Sequence, residues 1–259
     1  MDLGIKGKRV LVTGASRGMG RDIALAFAAE GCRVAMVARN EKNLKTVFEA
    51  MGGQDRGHDY YAADLTAEGA AVEAVKTLNK RGGEFDIVIH NLGGTLNITD
   101  HLAPMRQWQE VWKLNIGIAI EINNIVVPLM KTKGWGRIIH MSSTASEHFR
   151  GAAAYGVTKA YVNAYTQSLG RKLAKDGIVV SAVMYSVVKI AGGVWDENSE
   201  TNRKSREDYL QRKENLLKEH QPIGRLGEVE DITPFVLFMA SEYARFAAAS
   251  IIPVTGGGS

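Results

Sequence analysis

Cysteine occurs once in the 259 residues, at Cys32, so the chain makes no intrachain disulfide and no cysteine-based metal cluster. A lone thiol suits a reducing compartment, and a cytoplasmic location is the expectation. Apolar runs are short and broken by charge, well under the roughly 18 residues that suggest a membrane span. Residues 1–8 lack the charged start and apolar core of a secretion signal. Charge of one sign is missing too: 32 Lys and Arg stand against 28 Asp and Glu, for a net +4. The densest stretch, 203–218, alternates in sign as an exposed helix does, so no nucleic-acid partner is expected. Proline is scarce, and no linker, low-complexity tract or internal repeat interrupts the chain, which predicts one domain over 1–259.

What the chain does have is alternation. Short Val- and Ile-rich runs near 8–13, 33–38, 58–62, 85–90, 137–141, 178–184 and 250–254 read as strands. Between them, 18–30, 41–51, 66–81, 103–132, 153–176 and 229–240 carry helical patterns. Strand–helix alternation over the whole length predicts an α/β, doubly wound parallel sheet with helices on both faces. The polar segment 190–221 breaks the rhythm; it reads either as a substrate lid or as a solvated helical insertion.

Thr13-Gly14-Ala15-Ser16-Arg17-Gly18-Met19-Gly20 joins the first strand to the first helix. Glycines there let the backbone approach a pyrophosphate, while the helix N-terminus offers unpaired N–H groups and a positive dipole end. This makes the segment a dinucleotide cradle of the Rossmann kind. An NAD site usually ends its second strand with an acid that holds the ribose 2′-hydroxyl. Here that strand ends Val37-Ala38-Arg39-Asn40, and Arg17 and Arg39 offer guanidinium forks for a 2′-phosphate, which favours NADP(H).

Tyr155 and Lys159 stand at i and i+4 on one helix face. A cation beside a phenol stabilises the phenolate, and the pair can then exchange a proton with a carbonyl or alcohol oxygen. The spacing alone proves little, since Tyr185–Lys189 and Tyr209–Lys213 share it. Only Tyr155 has hydroxyls upstream, Ser142 and Ser143, at the C-terminal end of a strand, where open parallel sheets bind ligands. The other two pairs read as decoys.

On these residues the chain resembles the short-chain dehydrogenase/reductase family along its whole length, with 3-oxoacyl-carrier-protein reductases similar in length and tail. The matching positions are Gly14, Gly18, Gly20, Asp64, His90-Asn91-Leu92-Gly93, Asn115, Ser142, Tyr155, Lys159, Gly224-Arg225-Leu226-Gly227 and Gly256-Gly257. The resemblance implies a seven-stranded parallel sheet and a small-molecule carbonyl or alcohol substrate. It gives Tyr155 the general acid/base role, with Lys159 lowering its pKa and holding the nicotinamide ribose. Ser142 would polarise the substrate oxygen, and Asn115 would anchor a water between Lys159 and solvent. Asp64 and Leu65 would meet adenine, and Asn91 and Gly93 the adenosine ribose, beside a cradle that includes Ser16 and Met19. Asn115 and Asp64 also have plainer readings, as a helix kink or cap and as the cap of a helix starting near Thr66. The helices carrying Asn115 and Tyr155 would pair with their copies in a homodimer or homotetramer. The Ile- and Val-rich 119–130 stretch would serve that contact or face its own sheet.

The chain departs from the family after the sixth strand, where Pro-Gly and a following Thr usually clamp the carboxamide. Tyr185-Ser186-Val187-Val188-Lys189-Ile190 stands there instead, leaving a backbone contact from Val188 but no hydroxyl at Ile190. Between the serines and Tyr155, His148 and Arg150 are candidates to attract an anionic or polyhydroxylated substrate. The leading expectation is NADPH-dependent carbonyl reduction, with a 3-oxoacyl thioester as first substrate class. The alternatives are sugar or cyclic-alcohol oxidoreduction on the same site and a non-catalytic NADPH-binding sensor.

Overall fold

The computed structural model describes residues 1–148, 151–191, 193 and 195–258. Seven parallel strands form one sheet in the order β3-β2-β1-β4-β5-β6-β7. They are β1 (Arg9–Thr13), β2 (Arg33–Ala38), β3 (Asp59–Ala62), β4 (Ile87–His90), β5 (Gly136–Ser143), β6 (Ile178–Tyr185) and β7 (Ile251–Val254). Every residue of β1 and β4 is buried, and only the last of β5 and of β6 is not. Helices on both faces leave no solvent side for a polar stripe, so β4 and β6 are largely apolar, while β5 buries Arg137, His140 and Ser142 among its apolar residues. The order reverses between β1 and β4, the kind of switch point at whose C-terminal strand ends open parallel sheets bind ligands.

One face is covered by α1 (Gly18–Ala29), α2 (Glu41–Ala50) and α10 (Val229–Ala240), in a core that includes Ile23, Phe27, Leu44, Ile139, Val183 and Val236. On the other face α3 (Ala70–Gly82), α5 (Ile118–Lys133) and α7 (Ala153–Leu173) bury Leu78, Ile122, Val126, Ile138, Leu173 and Val180. Thus Ile122, Val126 and Met130 of the 119–130 stretch face the chain's own sheet.

Several expected boundaries move. The helix expected from 66 starts at Ala70, because Asp64 Oδ1 accepts from both the N–H and the hydroxyl of Thr66 and holds a turn there. The helix expected over 103–132 is α4 (Met105–Trp112), a π-helical turn (Lys113–Gly117) and α5, which run on without a break. Together they span 29 residues, with mean hydropathy 1.2 in the most apolar window, long and apolar enough by composition to cross a membrane. Half of that window is buried inside the fold, as in the core helix of a globular domain. The 190–221 segment holds α8 (Glu200–Lys204) and α9 (Arg206–His220), anchored by buried Tyr209, whose hydroxyl donates to Trp195 O at 3.3 Å. A four-residue α6 (Ala145–His148) follows β5.

Candidate active site

The turn from β1 to α1 is built as a cradle. Gly14 and Gly18 take φ of +68° and +53°, a region that L side chains avoid. A Cβ on Gly20 would run into the Gly14 carbonyl and lie 2.5 Å from Asn91 Nδ2. Arg17 stands at the N-cap of α1 and gives it no side-chain cap, so the first N–H groups of the helix keep their binding capacity for an anion. Ser16 is half-buried in the turn, and Met19 is buried beneath it. Asn91 braces the turn from β4, its amide donating to Thr13 O at 3.1 Å and Gly14 O at 3.4 Å. Arg17 and Arg39 are exposed at the rim, with Arg39 only 3.8 Å from exposed Asp64, and Leu65 is buried beside it. Glycines at positive φ and an uncapped helix start fit the pyrophosphate of a dinucleotide, with two exposed guanidiniums at the rim.

Tyr155, in the first turn of α7, reaches the C-terminal edge of β5. Burial pushes the pKa of its phenol up, and the neighbouring Ser143 hydroxyl pulls it down. The net direction is upward, so the expectation that Lys159 brings the phenol down is not met. Lys159 Nζ lies 5.5 Å from the Tyr155 ring centre and donates to Met141 O at 2.7 Å. Buried at 2% exposure, Lys159 is itself lowered to about 8 by desolvation.

Ser142 is not the serine that meets Tyr155. It is wholly buried, and its hydroxyl donates to Asn163 Oδ1 on α7 at 2.5 Å; Asn163 donates onward to Ser146 Oγ at 2.9 Å. Successive strand side chains point to opposite faces, so Ser142 and Ser143 cannot share a direction. The serine beside Tyr155 is Ser143, twelve residues before it, and not Ser142, thirteen before.

Asn115 sits in the π turn, a one-residue bulge of the kind that often re-aims a side chain at functional sites. Its amide donates to Val111 O (2.8 Å) and Gly94 O (2.9 Å), and its Oδ1 accepts from Gly94 N–H (3.1 Å). A Cβ on Gly93 would lie 2.8 Å from Asn115 Oδ1 and 3.0 Å from Lys159 Nζ, so both polar tips meet at this glycine. After β6, Val188 pairs with Gly227 in a parallel bridge. The bridge uses Val187 O and Lys189 N–H, leaving Val188's own N–H and C=O free of it. Ile190 packs a methyl onto Gly18, where the family's Thr would have brought a hydroxyl.

Behind the site lies a pair the sequence did not single out. His90 and His140 are register partners on β4 and β5, with rings stacked 4.9 Å apart. His90 Nε2 pairs with Asn123 Oδ1 at 2.8 Å, and His140 Nδ1 with Thr166 Oγ1 at 2.9 Å. Thr166 gives its own proton to Val162 O, so it accepts from His140, whose Nε2 is then a bare, buried nitrogen. Burial drives His90 down to about 4, and burial, His90 and Lys159 drive His140 well below the usual range. His148 ends α6 with its Nε2 buried and unpartnered, and Arg150 lies outside the described residues.

Residues 8–202 match the family model described as short chain dehydrogenase. The chain is 31% identical to a 2-dehydro-3-deoxy-L-rhamnonate dehydrogenase (NAD(+)) of Sphingomonas, over 97% of this chain and 95% of that one. It is 28% identical to a 3-oxoacyl-[acyl-carrier-protein] reductase of Aquifex aeolicus, over 99% of both. The crystal structure of L-sorbose reductase from Gluconobacter frateurii, complexed with NADPH and L-sorbose, superposes with a TM-score of 0.90 at 29% identity, covering 100% of this chain and 98% of that one.

Proposed function

The chain belongs to the short-chain dehydrogenase family, oxidoreductases that use a nicotinamide cofactor, and from that premise we propose that it reduces a small carbonyl compound to an alcohol with NADPH. The observation that carries the reading is buried Lys159, its ammonium 5.5 Å from the Tyr155 ring centre and held by Met141 O beside the Gly93 loop, with the Ser143 hydroxyl next to the phenol. Gly14, Ser16, Gly18, Met19 and Gly20 would hold the pyrophosphate, and Arg17 and Arg39 the 2′-phosphate. Asp64 and Leu65 would meet the adenine, Asn91 and Gly93 the adenosine ribose, Lys159 the nicotinamide ribose, and the Val188 backbone the carboxamide. When bound, the reduced nicotinamide supplies the hydride.

The protein's own part is proton transfer and orientation. Ser143 holds the carbonyl oxygen, and Tyr155 gives that oxygen its proton. A phenol whose pKa is raised arrives protonated, which suits an acid in the reductive direction. Lys159, lowered to about 8, titrates close to working pH and is placed to return a proton to Tyr155. Asn115 fixes the loop at Gly93 and Gly94 against which that ammonium lies. The 190–221 segment covers the substrate side in this reading, and α5 and α7 pair with a second copy in a dimer or tetramer.

The test is a turnover screen of the purified protein with NADPH and NADH against a 3-oxoacyl thioester, simple ketones and keto-sugars. We expect NADPH consumption with one of these classes. Tyr155→Phe should abolish it, and Ser143→Ala should lower kcat by about 10²–10³, the usual loss for a positioned donor. Ser142→Ala should instead act on stability, by about 1 kcal/mol, through half-buried Asn163 left without its donor. NADPH binding with no turnover on any class would sink the reductase reading in favour of the sensor.

A further inference from the structure

Tyr185 ends β6, and its Cα is the register partner of Ser143 at the end of β5. Register partners on adjacent strands carry their side chains on the same face, so the Tyr185 phenol and the Ser143 hydroxyl leave the sheet side by side. The strand ends are tied again where Thr144 N–H donates to Tyr185 O at 3.1 Å. The Ser143 hydroxyl is in turn a neighbour of the Tyr155 phenol, whose pKa it lowers. Three hydroxyls therefore gather at one edge, from β5, β6 and α7.

The ring of Tyr185 is spoken for and its tip is not. The ring packs against the core cluster that includes Met19, Val183 and Met141. Among the described residues no group is hydrogen-bonded to its hydroxyl, and the residue is only half-buried. Burial, and the charge that Tyr155 would carry as a phenolate, both push the Tyr185 phenol up, so it keeps its proton while Tyr155 does the transfer. A phenol that stays protonated is a standing donor rather than a second base.

A carbonyl oxygen has two lone pairs, and Ser143 and Tyr155 fill them. A third donor at the same edge has no place on that atom and needs another substrate oxygen. We propose that Tyr185 is a specificity-determining residue that donates to an oxygen on the carbon next to the reacting one, so that the site selects α-hydroxy carbonyl compounds over carbonyls flanked by hydrocarbon. This rests on the reading of Tyr155 as the proton donor to a carbonyl.

The experiment compares kcat/KM for hydroxyacetone and acetone in the wild-type protein and in Tyr185→Phe, which keeps the ring and its packing. The ratio should favour hydroxyacetone in the wild type and fall about tenfold to a hundredfold in the variant, the size of a lost contact to a buried donor. An unchanged ratio would overturn the proposal. A second readout needs no turnover: calorimetric titration of fructose into protein saturated with NADP⁺, which has no hydride to give the ketone. Binding should weaken about tenfold in Tyr185→Phe, and equal affinity would again overturn the proposal. If the wild type reduces none of the carbonyl classes yet Tyr185→Phe binds fructose more weakly, the reductase reading fails and the Tyr185 contact stands. If Tyr155-dependent reduction is present and the ratio is insensitive to Tyr185, only the contact fails.

Discussion

Lys159 is a buried ammonium with one backbone acceptor, Met141 O. Its pKa is lowered from 10.5 to about 8 by burial. Between those two values the unfolded chain holds a proton that the folded protein has released, so stability rises with pH across that window. Below pH 8 the folded protein carries the whole penalty, up to about 3 kcal/mol. Lys159→Met should therefore be inactive and yet melt higher than the wild type at pH 7, with the gap closing toward pH 10.5. Equal melting temperatures at pH 7 would mean that Met141 O and its neighbours already offset the burial. At the rim, exposed Arg39 is loosely paired with Asp64 at 3.8 Å. Arg39→Asp should cut kcat/KM for NADPH and shift preference toward NADH, by repelling a 2′-phosphate and offering a 2′-hydroxyl an acceptor. Unchanged preference between the two cofactors would remove Arg39 from the choice.

Strands β4 and β5 meet through the stacked His90 and His140, both held neutral by burial. Their folded pKa values lie below the ordinary 6.5, with His90 near 4. As pH falls from 6.5 the unfolded chain takes up protons that the folded pair refuses, and stability is lost at about 1.4 kcal/mol per pH unit for each histidine. Acid unfolding should begin below pH 6.5 and flatten in His90→Asn; the same acid limb in both proteins would refute this. The sequence carried the element order well, because buried strands and amphipathic helices have distinct periods. It carried the glycine cradle and the Tyr155–Lys159 pair too, since each has its own local spacing. Ser143 was legible only through the two-residue alternation of β5, which sends adjacent serines to opposite faces without saying which of them meets Tyr155. The π turn at Asn115 adds a single residue, too little to disturb a helical pattern. Tyr185 was set aside with Lys189 for want of an upstream hydroxyl, whereas what brings it to Ser143 is strand register.

Around the whole molecule, Trp112, Val157 and Tyr161 stay exposed on α4 and α7, with the Trp112 and Tyr161 rings 6.0 Å apart edge to face. Apolar side chains grouped on a surface mark a contact region. Light scattering should report a dimer or tetramer, and Tyr161→Glu should shift it toward monomer; a wild-type monomer would count against the pairing. The place of β7 has a consequence for how the chain is made. During synthesis β6 leaves the ribosome long before 251–254, and no other strand covers its outer side. Until β7 docks, the nascent chain displays an unpaired strand edge whose side chains are nearly all apolar, a template for association with any neighbouring chain. A truncation before Ser250 should accordingly drive the product into inclusion bodies, and chaperone supply during expression should govern its yield more than the strength of the active site.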